Sequence, residues 1–285
     1  MPTLTADWIS WTAADAKACI RVPTAQDHKY TRGVLGVVTG SRQYPGAAVL
    51  STAAALATGV GMVRFYPAAN LAGLVLQRSP EVVIAPGKVH AWLIGSGVPS
   101  LGTLSISSCL RHRQMAFARR QAAPTVLDAG ALYMAGTLSA PTLITPHAGE
   151  LAALLNARGL PTSAQAIAAE PQAWALLAQQ ALGVTVLLKG PCTVVAGPGI
   201  AITLPHATPW LATAGTGDVL AGMVGALVAG RCAELGGKPE LLAKLAATAA
   251  YLHARAAAIA SDGAPLTSIT LIDAVHEALR HLFSE

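Results

Sequence analysis

Residues Ala214, Gly215, Thr216, Gly217 and Asp218 lead directly into the apolar stretch 219–230. A turn of small residues that opens a helix points several unpaired backbone N–H groups at one spot, where the helix dipole also favours negative charge. Ala214, Gly215, Thr216 and Gly217 therefore form a candidate anion cradle. Asp218 is the odd member, since it puts a carboxylate where a phosphate would sit. It is either a plain helix cap, a position Asp favours, or a base waiting beside that phosphate, and the segment alone leaves both open.

Four further groups of residues have the chemistry of a phosphate site. Thr145-Pro146-His147-Ala148-Gly149-Glu150 joins an apolar run to a helix beginning near Leu151. His147 and Glu150, three apart, can face one ligand, with Glu150 able to hold magnesium through water and His147 able to donate to phosphate or amide oxygens. An N-terminal cap with a surface histidine is the plainer reading. Lys189-Gly190-Pro191-Cys192-Thr193 places a lone cation and a flexible backbone after a strongly apolar run, which suits a nucleotide phosphate as well as a solvent-capped strand end. The loop Gly40 to Ala48, with Tyr44-Pro45-Gly46-Ala47, delivers a helix N-terminus to a ligand or is a turn that needs glycine for backbone reasons. Gly95-Ser96-Gly97 is a second bare backbone approach, and it fails the dinucleotide pattern G-x-G-x-x-G because position 100 is serine.

These groups need a frame that brings them to one edge. Apolar runs of strand length lie at 34–39, 62–66, 81–85, 91–94, 125–128, 142–145 and 184–188, most of them bounded by Gly or Pro, with an Ala-rich helix over 47–58. Strands alternating with helices predict a largely parallel sheet covered on both faces, which binds ligands at the carboxyl ends of its strands. The polar motifs fall at those ends. Residues 193–195 and 201–204, separated by Gly197-Pro198-Gly199, read as an appended hairpin. Residues 1–28 form a loosely predictable lead-in to a single domain over 29–285.

Composition narrows the class. A chain of 285 residues with 53% hydrophobic and 12% charged residues is no disordered segment. Residues 45–63 carry no charge but are mostly small, so a buried helix followed by a strand is expected there and not a membrane span. No basic region leads into an apolar stretch at the N-terminus, which points to a cytoplasmic protein. The net charge of +5 invites nucleic acid. Yet only Arg111, Arg113, Arg119 and Arg120 cluster, and without an interleaved aromatic stripe they read as a solvated helix face. An anionic small molecule is the expected partner. Cys19, Cys109, Cys192 and Cys232 are far apart and are expected to be reduced thiols.

Taken in order and spacing, the motifs identify a family. Val37-Val38-Thr39-Gly40-Ser41 with Tyr44-Pro45-Gly46-Ala47-Ala48, Val126-Leu127-Asp128-Ala129, Thr145 to Glu150, Leu188-Lys189-Gly190 and Leu211 to Gly222 resemble the ADP/ATP-dependent NAD(P)H-hydrate dehydratases of the ribokinase-like superfamily. The resemblance runs from about residue 29 to 282. It implies a three-layer α/β/α fold, magnesium, an adenine nucleotide as phosphoryl donor (ADP in typical bacterial members), and repair of the hydrated nicotinamide ring of NADHX and NADPHX. It places Lys189, Gly190, Pro191, Cys192, Thr193 and Gly217 on the nucleotide, and Ala47, Gly97, His147 and Asp218 around the hydrate. It further implies a homo-oligomer, a tetramer, and a separate epimerase for the R hydrate, since 285 residues are too few to hold that domain as well. Ala148, Gly130 and Ser96 depart from the commoner family pattern without removing a charge, and Pro209-Trp210 replaces an Asn-Pro-Gly element beside the pocket.

Elimination of water needs the hydroxyl turned into a better leaving group, and phosphorylating it does so. Asp218 then takes the hydroxyl proton while the cradle holds the transferring oxygens. Glu150 organises magnesium through water, and Asp128 is a pocket carboxylate or a strand-end cap. The alternatives are a ribokinase-like kinase of a small alcohol or vitamin precursor, and a nucleotide-binding module without catalysis.

Overall fold

The computed structural model describes residues 6–67, 70–99, 117–118 and 120–284. Arg111, Arg113, Arg119 and Cys109 lie outside the described residues. One sheet organises the rest, with strands β1 (Trp8–Ser10), β2 (Val34–Val38), β3 (Met62–Phe65), β4 (Ala91–Ile94), β5 (Thr125–Leu127), β6 (Thr142–Ile144), β7 (Thr185–Leu188), β8 (Val194–Gly197) and β9 (Ile200–Thr203). Their spatial order is β1-β9-β8-β7-β6-β5-β4-β2-β3. All pairs are parallel except β7–β8 and β8–β9, so β8 alone runs against the others. The appended hairpin is thus β8 and β9, and the expected parallel sheet is observed.

The strand residues are buried on both faces, as parallel strands under two helical layers must be. Period-2 alternation divides them. Leu35, Val37, Leu93, Val126 and Leu187 pack on one side. That side is covered by α1 (Ala13–Cys19), α2 (Pro45–Ala57), α3 (Leu71–Arg78), α7 (Thr216–Gly230), α8 (Leu241–Ser261) and α9 (Ser268–Ser284). Val38, Trp92, Ile94, Leu127 and Ile144 face the other side. There they meet α4 (Ala148–Asn156), α5 (Ala164–Ala169) and α6 (Pro171–Leu182). The result is the three-layer α/β/α arrangement.

Two elements differ from the sequence reading. The run 81–85 makes a single parallel bridge, Val83 to Arg64, beside β3. Pro80 and Pro86 bracket it and cannot donate to a ladder, which keeps it from lengthening. In the lead-in, β1 pairs in parallel with β9, and α1 follows a capping box in which Thr12 and Asp15 satisfy each other's backbone N–H groups.

α7 is apolar nearly all round and buried from Val219 to Ala229, as expected of a helix lodged between neighbours. Its small residues allow α2 to approach closely. A Cβ added at Gly222 would stand 2.3 Å from the Ser51 carbonyl oxygen. Helix propensity alone favours Ala over Gly by about 1 kcal/mol, but overpacking against backbone costs about 1–3 kcal/mol. Gly222→Ala is therefore expected to destabilise the protein, with Tm falling about 2–4 °C per kcal/mol lost. A thermal melt in which Tm holds or rises would show that the α2–α7 contact yields more easily than this.

Candidate active site

The parallel strands bring four loops to one edge of the sheet. Asp128 follows β5, Ser96 follows β4, Thr145 follows β6 and Lys189 follows β7. Asp128 is the hub. Its Oδ2 accepts from Ser96 Oγ at 2.9 Å, and its Oδ1 accepts from Thr145 Oγ1 at 2.8 Å and from Lys189 Nζ at 3.2 Å. With its side chain 4% exposed, such a charge is tolerable only when paired and hydrogen-bonded. A strand-end cap binds its own chain, whereas Asp128 ties three strand ends to the cation that the sequence reading set on the nucleotide.

Lys189 reaches from Asp128 toward Glu150, 3.7 Å from its Oε2. Burial works to lower the Lys189 pKa, but Asp128 and Glu150 outweigh it and the net shift is upward. The ammonium is therefore a fixed positive charge. Its strand end is clamped to the β6 loop, because the Lys189 N–H donates to the Pro146 carbonyl at 2.8 Å.

His147 and Glu150 form a capping box on α4. His147 Nδ1 accepts from the N–H groups of Gly149 (3.1 Å) and Glu150 (3.3 Å), and Glu150 Oε2 accepts from the His147 N–H at 2.9 Å. The capping reading is thus correct as local structure. It does not use up either side chain, because His147 Nε2 stays at the surface and Glu150 keeps a second oxygen.

The small-residue turn lies opposite. Gly215 is the N-cap of α7 at φ +92°, and a Cβ there would strike Leu50 Cδ1 at 2.6 Å and Ser268 Oγ at 2.7 Å, so only glycine fits. Among the described residues, no hydrogen bond is recorded to the backbone N–H of Ala214, Gly215, Gly217 or Asp218, while the Thr216 N–H leans toward the Thr213 carbonyl at 3.4 Å. Unpaired amides at a helix start are what an anion needs. Gly217 also adjoins the cation, since a Cβ there would lie 3.5 Å from Lys189 Nζ.

Asp218 stands in the first turn of α7, whose N-cap is Gly215, a residue with no side chain to cap it. Burial, reinforced by Asp128 and Glu150 and opposed by Lys189, pushes its pKa up to about 6. Desolvation and the neighbouring carboxylates thus outweigh Lys189, and they leave a carboxyl that binds a proton at about pH 6.

Of the remaining positions, Gly97 and Ala47 touch. Gly97, at φ +65°, lies against Ala47, with a Cβ there only 2.4 Å from Ala47 Cβ and 3.0 Å from the Tyr44 carbonyl oxygen. Gly95-Ser96-Gly97 and Tyr44-Pro45-Gly46-Ala47 therefore share one wall. In the 190–193 loop, the Pro191 carbonyl meets His206 Nδ1 at 3.1 Å and Cys192 Sγ points to the Leu204 carbonyl at 3.7 Å. After β9 the chain makes the 3₁₀ turn Pro209–Leu211, where Trp210 is exposed and its carbonyl accepts from Thr213 Oγ1 at 2.9 Å.

No cluster of three His, Cys, Asp or Glu side chains with metal-holding geometry occurs among the described residues. Magnesium carried on a nucleotide needs no such cage, because it keeps most of its waters and takes one or two carboxylates. The free oxygen of Glu150 fits that need. Asp128 fits it less well, with both of its oxygens already engaged.

Comparison with known proteins identifies the family. The family model described as NAD(P)H-hydrate dehydratase matches residues 35–278. The chain is 43% identical over 237 residues to the bifunctional NAD(P)H-hydrate repair enzyme of Mycobacterium tuberculosis, covering 78% of this chain and 46% of that protein. The chain therefore spans about half the length of this bifunctional relative. It is 32% identical to the ADP-dependent (S)-NAD(P)H-hydrate dehydratase of Xanthomonas campestris, covering 75% of this chain and 78% of that protein. Among solved structures, the ADP/ATP-dependent NAD(P)H-hydrate dehydratase of Bacillus subtilis, co-crystallised with ATP and Mg2+, superimposes with a TM-score of 0.78 at 25% identity, covering 98% of this chain and all of that one. With the family model matching most of its length, the chain belongs to the NAD(P)H-hydrate dehydratase family.

Proposed function

We propose that the chain dehydrates the S form of NADHX or NADPHX to NADH or NADPH at the expense of an adenine nucleotide, ADP being the expected donor. The observation that carries this reading is the Asp128–Lys189–Glu150 chain of charges, which ends at the open amides of α7 beside Asp218. It sets a fixed cation, an anion cradle and a protonatable carboxylate around one space.

Lys189, with the 190–193 loop and the Gly217 amide, holds the phosphates of the nucleotide. Ala47, Gly97, His147 and Asp218 line the space for the hydrate. Asp218 accepts the hydroxyl proton as that oxygen attacks the terminal phosphorus, and AMP leaves if the donor is ADP. The open amides of 214–217 take up the charge on the transferring oxygens. The carbon–oxygen bond to phosphate then breaks as the ring nitrogen pushes electrons in, and loss of a proton from the adjacent ring carbon restores the double bond. Glu150 would hold nucleotide-bound magnesium through water, and the ion when bound neutralises phosphate charge. The reading includes a homotetramer in the cytoplasm, no nucleic acid or membrane partner, and a separate epimerase that supplies the S form. No helix among the described residues is long and apolar enough to cross a membrane.

The test is recovery of NADH absorbance from S-NADHX with magnesium and either ADP or ATP. Recovery that depends on nucleotide is expected. Turnover of nucleotide with a stable phosphorylated product would point instead to a kinase of a small alcohol, and nucleotide binding without turnover to a binding module.

A further inference from the structure

His253 lies in the middle of α8, buried, and the reaction described above makes no use of it. Its Nε2 stands 2.9 Å from the carbonyl oxygen of Thr216, the first residue of α7. A carbonyl can only accept, so the ring must present Nε2–H there. Burial, against the upward pull of that hydrogen bond, holds the ring pKa down to about 4, and the imidazole is neutral in that one tautomer.

The other carbonyls of the turn are also held from behind. Thr216 Oγ1 lies 2.9 Å from both the Leu211 and the Thr213 carbonyl oxygens, and Ser268 Oγ, at the start of α9, donates to the Ala214 carbonyl at 2.9 Å. Each of these bonds also aims an amide. In a trans peptide the C=O of one residue and the N–H of the next point in opposite directions within one plane. Drawing the Thr216 carbonyl toward His253 therefore turns the Gly217 N–H away from it. Drawing the Ala214 carbonyl toward Ser268 does the same for the Gly215 N–H. Neither of these amides has a hydrogen-bond partner among the described residues, and Gly217 adjoins Lys189, the cation assigned to the phosphates.

We propose that His253 is a positioning residue, which with Ser268 fixes the peptide planes that aim the Gly217 and Gly215 amides at the phosphoryl group. The proposal rests on the reading of the turn as an anion cradle. A lone histidine in an Ala- and Leu-rich helix otherwise reads as a core residue. What singles it out is that, among the described residues, its ring hydrogen-bonds the backbone of a helix start 37 residues away. Its effect is on catalysis more than on ground-state binding, because the charge on the transferring oxygens peaks in the transition state.

The experiment compares His253→Leu, which keeps an apolar filler without a donor, with His253→Gln, whose amide N–H can reach the same carbonyl. In the Leu variant kcat for NADH recovery is expected to fall about 10–100-fold, a misaimed donor being worth a part of a deleted one, with KM for ADP within about threefold of the parent. The Gln variant is expected to recover kcat to within about threefold of the parent. Amide hydrogen exchange over 211–220 in the ligand-free protein is read in parallel, with faster exchange in Leu and parent-like exchange in Gln. A folded Leu variant with parental kcat and exchange overturns the proposal, as does a Gln variant that falls as far as Leu. If His253→Leu does not fold, Ser268→Ala takes its place, with faster exchange expected at Val219, whose N–H donates to the Gly215 carbonyl, and unchanged exchange there counting against the brace. If the parent fails to recover NADH, the functional reading fails, and the exchange data still decide whether the brace exists.

Discussion

Asp218→Asn is expected to abolish measurable dehydration while making the folded protein more stable above pH 6. The activity loss is that of a general base, about 10²–10⁴ in kcat. Its partner expectation is a parental kcat/KM that falls tenfold per pH unit below about 6, where the buried carboxyl takes up its proton. Stability moves the other way because the folded state raises this pKa from 3.8 to about 6, and so the folded protein binds the proton more tightly than the unfolded chain does. Below pH 3.8 the carboxyl is neutral in both states and contributes nothing. As the pH rises from 3.8 to 6 the folded state becomes progressively worse off, and above 6 the whole cost is present. Asn removes the charge, so the gain is absent at low pH and full above 6. The shift converts to roughly 3 kcal/mol at most, and partial water access trims it to about 1–2 kcal/mol. Urea melts at pH 4 and pH 8 on parent and variant measure it. A variant that is inactive and equally stable at both pH values would show that Asp218 is not held against neighbouring carboxylates. A variant that is fully active would remove Asp218 from the chemistry.

Much of this site was legible in the sequence because its parts are local. A turn such as 214–218 carries its function in residue type and order, and a parallel sheet sends every βα loop to the same edge, so the motifs that follow strands fall in one place by the order of the elements. What was not legible depends on register between distant strands. The sequence left Asp128 between a pocket carboxylate and a cap, because only the ordering of β4, β5, β6 and β7 brings Ser96, Thr145 and Lys189 onto it. The upward shift of the Asp218 pKa is hidden for the same reason, as its sign is set by burial and by carboxylates 68 and 90 positions upstream. β1 is three residues long, too short for a period to show, although the Thr12-x-x-Asp15 capping pattern beside it was there to be read. His253 left no trace in the sequence, since nothing in an apolar helix says which of its residues stands behind another helix's first turn.

Lys189→Met brings the electrostatic argument to a single side chain. The ammonium is the partner of a buried Asp128 and also the one group that holds the Asp218 pKa down. Met fills most of the same volume, so packing is largely preserved and the charge is what is lost. Breaking a fully buried ion pair by deleting one member costs about 3–5 kcal/mol, and with the Lys189 side chain 21% exposed the cost here should be nearer 2–4 kcal/mol. Ser96 and Thr145 still hydrogen-bond Asp128, which is why the protein should remain folded. Two functional changes accompany the loss. KM for the nucleotide rises by about 10–100-fold as a fixed cation on its phosphates disappears. The acid limb of kcat/KM moves to higher pH, because Asp218 now faces Asp128 and Glu150 without a counter-charge. The direction of that last shift separates two roles for Lys189. If it served the nucleotide alone, KM would rise and the acid limb of the free enzyme would stay where it was. If it also tunes the base, both move, and a cation that binds phosphate in one step is the same cation that keeps Asp218 able to accept a proton in the next.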